Sequence, residues 1–240
     1  MIRYDGEDRR SCLREAELML LFTPELCRAA EPLEVLLELA PEVDLIQVRI
    51  KAAGKMAAEL TPQYPGAPGP PAEARDSFEW CNRILSALAS LPEPPPVLVD
   101  DRVDVALALR DAGCAGVHLG RHDLPVAEAR RQLGADALIG ISTHDVNEVV
   151  QAGDSGADYI GFGPIFATTT KGYQQGLGPE IAWVADAGSA LPLFPIGGID
   201  LMNANTLSEV GRAAASAALL GSDDPRAAAR QLRELLSRSR

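Results

Sequence analysis

The sequence predicts a single (β/α)8 TIM barrel, and three observations carry this prediction. Eight short apolar runs alternate with longer amphipathic segments along almost the whole chain, as in repeated strand–helix units. Several of these runs are apolar at consecutive positions, which is typical of strands covered on both faces. No G-x-G-x-x-G follows the first run, which disfavours a Rossmann-type sheet. The length of 240 residues suits one such barrel.

The predicted strands are short apolar runs that end near polar residues or glycine. They are Leu18–Thr23, Leu45–Ile50, Val97–Asp100, Gly116–Leu119, Leu138–Ser142, Tyr159–Phe162, Leu193–Ile196 and Ala214–Leu220. The predicted helices are longer and carry apolar residues at helical spacing. They are Pro32–Leu39, Ser77–Leu91, Val103–Ala112, Val126–Leu133, Val146–Ser155, Glu180–Ala187, Asn203–Val210 and Pro225–Ser237.

Two regions interrupt this alternation. Residues 1–16 are polar and charged, and we expect them to form an extra helix or a frayed leader before a catalytic barrel at residues 17–240. Residues 61–75 hold five of the 18 prolines, so this segment cannot be a helix or a central strand. It is predicted as a proline-rich insertion after the second strand. A mobile excursion is favoured over a lid on one end of the barrel.

The charge balance restricts the classes of partner. The formal net charge is −12, from 22 basic and 34 acidic residues, and no cluster of Lys or Arg is evident. Nucleic acid and anionic membranes both demand a basic surface, so neither is an expected partner. The four cysteines show no C-x-x-C spacing, which favours reduced thiols over a disulfide or zinc framework. With no signal-like or membrane-spanning apolar run, we expect a cytoplasmic protein.

In this fold the chemistry lies at the carboxyl ends of the strands, and polar residues recur there. Gln47, Arg49 and Lys51 alternate at the end of the second strand, so their side chains share one face. Burial of unpaired charge is costly, so these three side chains need a polar object to contact. A bound ligand is favoured. The alternative is structural pairing of Arg49 and Lys51 with aspartates of neighbouring strands.

Two aspartates end adjacent strands at this same rim. Asp101 follows the third strand and Asp123 follows the fourth. Converging carboxylates suit Mg²⁺, which takes a few of them and keeps places for water and phosphate. Alternatively, each aspartate caps the helix that follows it, a common role at helix starts. The basic strand beside them favours the metal site.

The segment after the sixth strand, residues 161–171, combines glycines, three threonines and Lys171. Small hydrogen-bond donors with a cation suit a phosphate or diphosphate. Ser142 could donate to the same anion or cap the next helix, and His144 could be an acid–base group or a capping partner. His118 is most simply a hydrogen-bonded core histidine. The Gly197-Gly198 pair offers bare backbone N–H groups to a phosphate.

Taken together, these motifs resemble the thiamine phosphate synthase family and its close relative, the thiazole tautomerase. The resemblance covers about residues 20–225. The motifs, in chain order, are Gln47-x-Arg49-x-Lys51, Asp100-Asp101-Arg102-Val103-Asp104-Val105-Ala106, Gly116-Val117-His118-Leu119-Gly120 with Asp123, Gly140-Ile141-Ser142-Thr143-His144, Gly156-Ala157-Asp158-Tyr159-Ile160-Gly161-Phe162-Gly163-Pro164-Ile165-Phe166 with Thr168-x-Thr170-Lys171, and Ile196-Gly197-Gly198-Ile199.

The resemblance implies a transferase of thiamine biosynthesis. Such an enzyme joins hydroxymethylpyrimidine diphosphate to a thiazole phosphate carboxylate, and departure of pyrophosphate leaves a pyrimidine carbocation that the thiazole nitrogen captures. The implied diphosphate and catalytic residues are Arg49, Lys51, Lys171 and Ser142. The implied Mg²⁺ ligands are Asp101 and Asp123. The implied thiazole-phosphate residues are Thr168, Thr170 and Gly198, with Gln47 placing the pyrimidine. A homodimer is one expected state.

This sequence also departs from the family pattern. Asp100 takes a substrate-binding position near the diphosphate where the family usually has asparagine, which adds repulsion unless it binds the metal or is turned away. In the family the last strand usually ends in a Val-Ser pair. The predicted last strand here is an alanine-rich run in which Ser216 does not fall clearly on that position. Two alternatives therefore stand beside the synthase. One is a thiazole tautomerase in which His144 transfers the proton, and the other is a non-catalytic barrel that binds a phosphorylated ligand.

Overall fold

The eight apolar runs form eight parallel strands in a barrel, as the computed structural model of the protein shows for residues 6–29, 31–50, 74–168 and 175–237. The strands are β1 Leu18–Phe22, β2 Leu45–Val48, β3 Val97–Asp100, β4 Gly116–Leu119, β5 Leu138–Thr143, β6 Tyr159–Phe162, β7 Leu193–Pro195 and β8 Ala213–Ala215. The helices are α1 Gly6–Glu15, α2 Pro32–Leu39, α3 Ala74–Leu88, α4 Val103–Ala108, α5 Val126–Leu133, α6 Val146–Ala152, α7 Pro179–Gly188, α8 Ala217–Leu220 and α9 Pro225–Leu236. The predicted TIM-barrel fold is confirmed.

The sheet follows the chain order of its strands. Each strand from β1 to β7 pairs in parallel with the next, and β1 also pairs with β8. A single bridge between Ile196 and Ala214 links the β7 and β8 sides, so the barrel is nearly closed. Parallel pairing places all carboxyl ends at one rim, which is the end where barrels of this fold hold their sites.

Two apolar layers stabilise the barrel. One lies between the strands and the helices, and it includes Leu20, Phe22 and Leu36, all buried. The other fills the barrel interior. Its members are Leu13, Ala16, Met19, Leu45, Leu98, Leu138, Tyr159, Phe194 and Ala214. The alternation of side chains along each strand separates the two layers.

Helix α1 closes the amino-terminal end of the barrel. Leu13 is 1% exposed and packs with the interior layer, while the Arg10 Nε donates to Asp158 Oδ1 at 2.8 Å. This polar helix therefore joins the core through a few apolar contacts.

Two predicted elements differ in type in the structure, and several others differ only in their bounds. The predicted strand Ala214–Leu220 is a three-residue strand followed by helix α8, because Ser216 ends the strand with its hydroxyl on the Leu21 carbonyl oxygen at 2.7 Å. The predicted helix Asn203–Val210 is a short 3-10 turn at Ala204–Leu207. The proline-rich insertion at 61–75 lies outside the described residues, apart from the start of α3. Among the helices described, none has the length and apolar character needed to cross a membrane.

Candidate active site

Polar side chains replace apolar ones in the interior at the carboxyl end of the barrel. On β2, side-chain alternation places Gln47 above the interior residue Leu45, and Gln47 is only 3% exposed. Asp100 ends β3 and lies opposite His118 of β4 in the parallel register. The rim predicted from sequence thus continues into the barrel as a buried polar layer.

Asp100 holds the side chains of Gln47, on β2, and Arg49, which directly follows β2. Gln47 Nε2 donates to Asp100 Oδ1 at 2.5 Å, and Arg49 Nε lies 3.3 Å from Asp100 Oδ2. The Arg49 and Asp100 side chains are 17% and 12% exposed. The structural pairing considered for Arg49 therefore exists here, and Asp100 is turned toward Arg49 and Gln47.

The Arg49 guanidinium still has donor capacity. Its Nη1 is buried and has no hydrogen-bond partner among the described residues. Because a buried unsatisfied donor is costly, this nitrogen is a candidate for contact with a ligand anion. Lys51 lies outside the described residues.

Asp101 and Asp123 come together at the ends of β3 and β4. Burial, then the charges of Asp100 and Asp123, raise the pKa of the Asp101 carboxyl to about 8, whereas Arg49 acts in the opposite direction. Asp101 is nevertheless an exposed residue, so solvent screening moderates the repulsion between these carboxylates. Two carboxylates that repel each other gain from a shared cation.

The helix-capping alternative for these aspartates is wrong. The residue preceding α4 is Arg102, with no side-chain cap, and the one preceding α5 is Pro125. Asp123 instead accepts a hydrogen bond from the Gly120 backbone N–H at 2.6 Å. Asp101 has φ +63°, an uncommon conformation for a residue other than glycine and one that recurs at functional sites.

The donor chemistry of this pair fits Mg²⁺. Carboxylate oxygens are its usual protein ligands, and the ion keeps several water or phosphate positions. Within the described ranges, no three His, Cys, Asp or Glu side chains gather as a metal cluster. The carboxylates that this pair offers to a metal are those of Asp101 and Asp123.

Ser142 lies near the end of β5 and does not cap the next helix. That cap is Asp145, whose side chain accepts from the backbone N–H groups of Asn147 and Glu148. The Ser142 Oγ instead lies 3.0 Å from His118 Nε2. His118 Nδ1 lies 2.9 Å from the Tyr159 hydroxyl, so His118 is the hydrogen-bonded core histidine that the sequence predicted.

His144 directly follows β5 and is held by two hydrogen bonds. Its Nδ1 lies 2.6 Å from the Gly163 carbonyl oxygen, and its backbone N–H donates to Glu148 Oε2 at 2.7 Å. A carbonyl oxygen can only accept, so Nδ1 carries the proton and Nε2 is the basic nitrogen of the neutral ring.

The glycine pair after β7 has a backbone that only glycine tolerates well. Gly197 and Gly198 have φ +99° and +64°. A Cβ on Gly198 would lie 2.4 Å from the Ala167 carbonyl oxygen, so the chain leading to Thr168 packs directly on it. Thr168 itself is half-buried. Thr170 and Lys171 lie outside the described residues.

Two residues gain importance from the structure. Ser216 directly follows β8 at the carboxyl end, which the alanine-rich sequence did not make clear. Tyr159 reads as one apolar residue in a strand, yet its hydroxyl contacts His118 in the interior. The alternation of side chains along β6 could have indicated Tyr159. It carries a hydroxyl and lies on the same face of the strand as Gly161, two positions later.

The fold and the rim define a (β/α)8 barrel with a charged polar site at the carboxyl ends of its strands. Residues 18–219 match the family described as thiamine monophosphate synthase. The chain therefore belongs to the thiamine monophosphate synthase family.

Curated relatives share this family. Thiamine-phosphate synthase of Chloroflexus aurantiacus is 46% identical over 145 residues, which cover 59% of this chain and 65% of that protein. Thiamine-phosphate synthase of Synechococcus sp. (strain CC9605) is 37% identical over 238 residues, 98% of this chain and 59% of the relative. The chain thus spans less than two thirds of the length of these relatives.

A solved structure supports the same assignment. Thiamine phosphate pyrophosphorylase from Pyrococcus furiosus superposes with a TM-score of 0.71 at 28% identity, covering 95% of this chain and 96% of that one. 3-Hexulose-6-phosphate synthase superposes with a TM-score of 0.61 at 18% identity, which shows a shared fold alone.

Proposed function

We propose that this chain is a thiamine phosphate synthase, which couples hydroxymethylpyrimidine diphosphate to a thiazole phosphate carboxylate in a Mg²⁺-dependent reaction. The observation that carries the proposal is the convergence of Arg49, whose buried Nη1 has no hydrogen-bond partner among the described residues, and the Asp101–Asp123 pair at one end of the barrel. A leaving diphosphate needs a fixed cationic donor and a metal site together. Family membership supports the same reaction.

The residues divide the reaction between them. Arg49 would donate to the diphosphate through Nη1, and Ser142 would donate through its hydroxyl. As the carbon–oxygen bond to the diphosphate breaks, these donors stabilise charge on the leaving oxygen. The thiazole nitrogen then forms the new carbon–nitrogen bond, and the carboxylate leaves as carbon dioxide.

The metal site would be formed by Asp101 and Asp123. Bound Mg²⁺ supplies charge neutralisation at the departing diphosphate. Gln47 would orient the pyrimidine, while Asp100 holds both Gln47 and Arg49 in place. From the sequence pattern, Lys51 and Lys171 would add cations, and Thr168, Thr170 and Gly198 would bind the thiazole phosphate.

The test offers the purified protein both substrates with Mg²⁺ and compares wild type with Asp101→Ala and Lys171→Ala. We expect thiamine phosphate from wild type and a loss of at least about a hundredfold in each variant. Asp111→Ala, at an exposed acidic position in the 3-10 turn after α4, is the matched control and should retain activity. Full activity in Asp101→Ala would refute the metal site.

A tautomerase is the second candidate, because His144 presents a defined basic nitrogen. Its Nδ1 is held by the Gly163 carbonyl oxygen, so Nε2 could move a proton on a thiazole ring. If wild type forms no thiamine phosphate but converts the thiazole tautomer, and His144→Gln abolishes that conversion, the tautomerase stands instead. Binding of a phosphorylated thiazole without either reaction would identify a non-catalytic barrel.

A further inference from the structure

Three side chains form a continuous hydrogen-bonded chain across the barrel interior. The Tyr159 hydroxyl lies 2.9 Å from His118 Nδ1, and His118 Nε2 lies 3.0 Å from Ser142 Oγ. Tyr159 is fully buried and His118 is 6% exposed. The chain therefore leads from the sealed interior to the half-buried hydroxyl at the rim.

Two glycines make room for this chain. A Cβ on Gly140 would lie 2.0 Å from the Tyr159 ring, and one on Gly161 would lie 3.1 Å from His118 Cε1. Both glycines occupy interior positions of β5 and β6, next to the two rings. A side chain at Gly140 would overlap the Tyr159 ring, and one at Gly161 would press on His118, so the interior is shaped around these two rings.

The proton on Tyr159 fixes the direction of the hydrogen bonds. In the described part of the chain, the Tyr159 hydroxyl has no acceptor other than His118 Nδ1. A buried O–H left without an acceptor is costly, so this hydroxyl donates to Nδ1. Burial first, then the nearby Asp100 charge, raise the pKa of the phenol well above its ordinary value, so the phenol keeps its proton.

The rest of the direction follows from imidazole chemistry. A neutral imidazole has one protonated and one unprotonated nitrogen. Since Nδ1 accepts from Tyr159, Nε2 carries the hydrogen and donates to Ser142 Oγ. Ser142 then has its own hydrogen available for a ligand. In the opposite direction, Ser142 would donate to His118 and offer the ligand only lone pairs.

We propose that Tyr159 and His118 are positioning residues that hold Ser142 as a hydrogen-bond donor to the substrate anion. The inference rests on the proposed function, in which Ser142 contacts the diphosphate. It assigns a role to Tyr159 that requires no contact with substrate. We call the hydrogen-bonded series Tyr159–His118–Ser142 the relay. It favours binding of anions, because a donor hydroxyl attracts phosphate oxygens and an acceptor hydroxyl repels them.

The first test measures the tautomer of His118 in the unmodified protein by ¹⁵N NMR of labelled histidine. We expect the Nε2–H tautomer for His118, identified by its loss in His118→Asn. The Nδ1–H tautomer in wild type would overturn the proposal. This measurement needs no enzyme activity, so it decides the relay even if wild type forms no thiamine phosphate and the proposed function fails.

The second test uses Tyr159→Phe, which removes the donor and keeps the ring. We expect kcat to fall at least about tenfold and the His118 signal to shift toward the Nδ1–H tautomer. In a Ser142→Ala background, the same substitution should have little further effect, because the two residues act as one unit. An equal loss in both backgrounds would show a packing effect and overturn the relay.

A packing control separates shape from hydrogen bonding. Phe194 meets the Tyr159 ring edge-on, with ring centroids 5.9 Å apart. Phe194→Leu should lower thermal stability while leaving the His118 tautomer unchanged. A tautomer change in Phe194→Leu as large as that in Tyr159→Phe would assign the effect to packing and contradict the proposal.

Discussion

Substitution of Asp100 by asparagine should tighten diphosphate binding while lowering stability. The asparagine side chain would keep the shape and one acceptor for Gln47 but remove the charge beside Arg49. In wild type the Asp100 carboxylate lies 3.3 Å from Arg49 Nε and competes with a ligand for the same guanidinium. Removing it frees Arg49 and also removes a negative charge that repels the ligand.

The size of the effect follows from Coulomb's law. A ligand charge on the far side of the guanidinium would lie roughly 7 Å from Asp100, where one pair of charges interacts by about 2 kcal/mol at an effective dielectric constant of ~20. We therefore expect inorganic pyrophosphate to bind Asp100→Asn roughly tenfold to a hundredfold more tightly. The Arg49 and Asp100 side chains are 17% and 12% exposed, so loss of the charge on Asp100 should cost about 1–3 kcal/mol in the free energy of unfolding, the range for a buried hydrogen bond to a charged group.

The assay is titration calorimetry with inorganic pyrophosphate at fixed Mg²⁺, together with urea denaturation. Asp104→Asn is the matched control, because Asp104 pairs with Arg102 at the surface and its side chain is 60% exposed. Its pyrophosphate affinity should stay within about twofold of wild type. Weaker or unchanged pyrophosphate binding in Asp100→Asn would refute competition and show that the charge of Asp100 is needed to orient Arg49.

Four further predictions concern Asp101, helix α1 and Gly198. Metal ligands must be deprotonated, so Mg²⁺ affinity should fall up to about tenfold per pH unit below the Asp101 pKa of about 8. Calorimetry at pH 6–9 would measure this fall, and a constant Mg²⁺ affinity would contradict the prediction. Without metal, the folded state holds the Asp101 proton more tightly than the unfolded chain, so stability should fall as pH rises from about 4 to 8, and Asp101→Asn should abolish that slope in urea denaturation. Leu13→Ala should lower the free energy of unfolding by about 2–4 kcal/mol without loss of kcat, whereas Ser11→Ala on the exposed face should change neither. Gly198→Ala should weaken thiazole-phosphate binding at least about tenfold. The backbone has φ +64°, and an added Cβ would lie 2.4 Å from the Ala167 carbonyl oxygen, so there is no room for a methyl group. Unchanged affinity would place that phosphate elsewhere.

The sequence predicts the central strands well because their signal is local. Val97–Asp100, Gly116–Leu119 and Tyr159–Phe162 have the predicted bounds, since buried parallel strands are short apolar runs bordered by glycine or charge. The run at Ala214–Leu220 fails for a physical reason. Alanine and leucine favour helix, so an apolar run split by Ser216 does not distinguish a strand from a strand followed by a helix.

The site shows the same division between local and long-range information. Strand order and side-chain alternation suffice to place Gln47 and Arg49 on one interior face. Pairing across strands depends on register, which no local pattern contains, so the contact of Asp100 with Arg49 emerges only in the structure. Helix α1 is similar, because Leu13 alone carries little amphipathic signal within a charged segment.

The balance of charge at the rim leads to a prediction about metal removal. Among the described residues, Arg49 pairs with Asp100 and acts on the charge of Asp101, which in turn interacts with Asp123. With Asp101 ionised, the three carboxylates balance Arg49 together with Lys51 and Lys171, which the sequence pattern adds, so the site has no excess of positive charge. A diphosphate should therefore bind weakly until a cation neutralises Asp101 and Asp123.

We expect chelation of Mg²⁺ to weaken pyrophosphate binding at least about a hundredfold in wild type. The loss should be smaller in Asp100→Asn, where one of the repelling charges is gone. Equal losses in the two proteins would show that Asp100 and the metal act on the ligand independently, and tight binding without metal would contradict the charge argument itself.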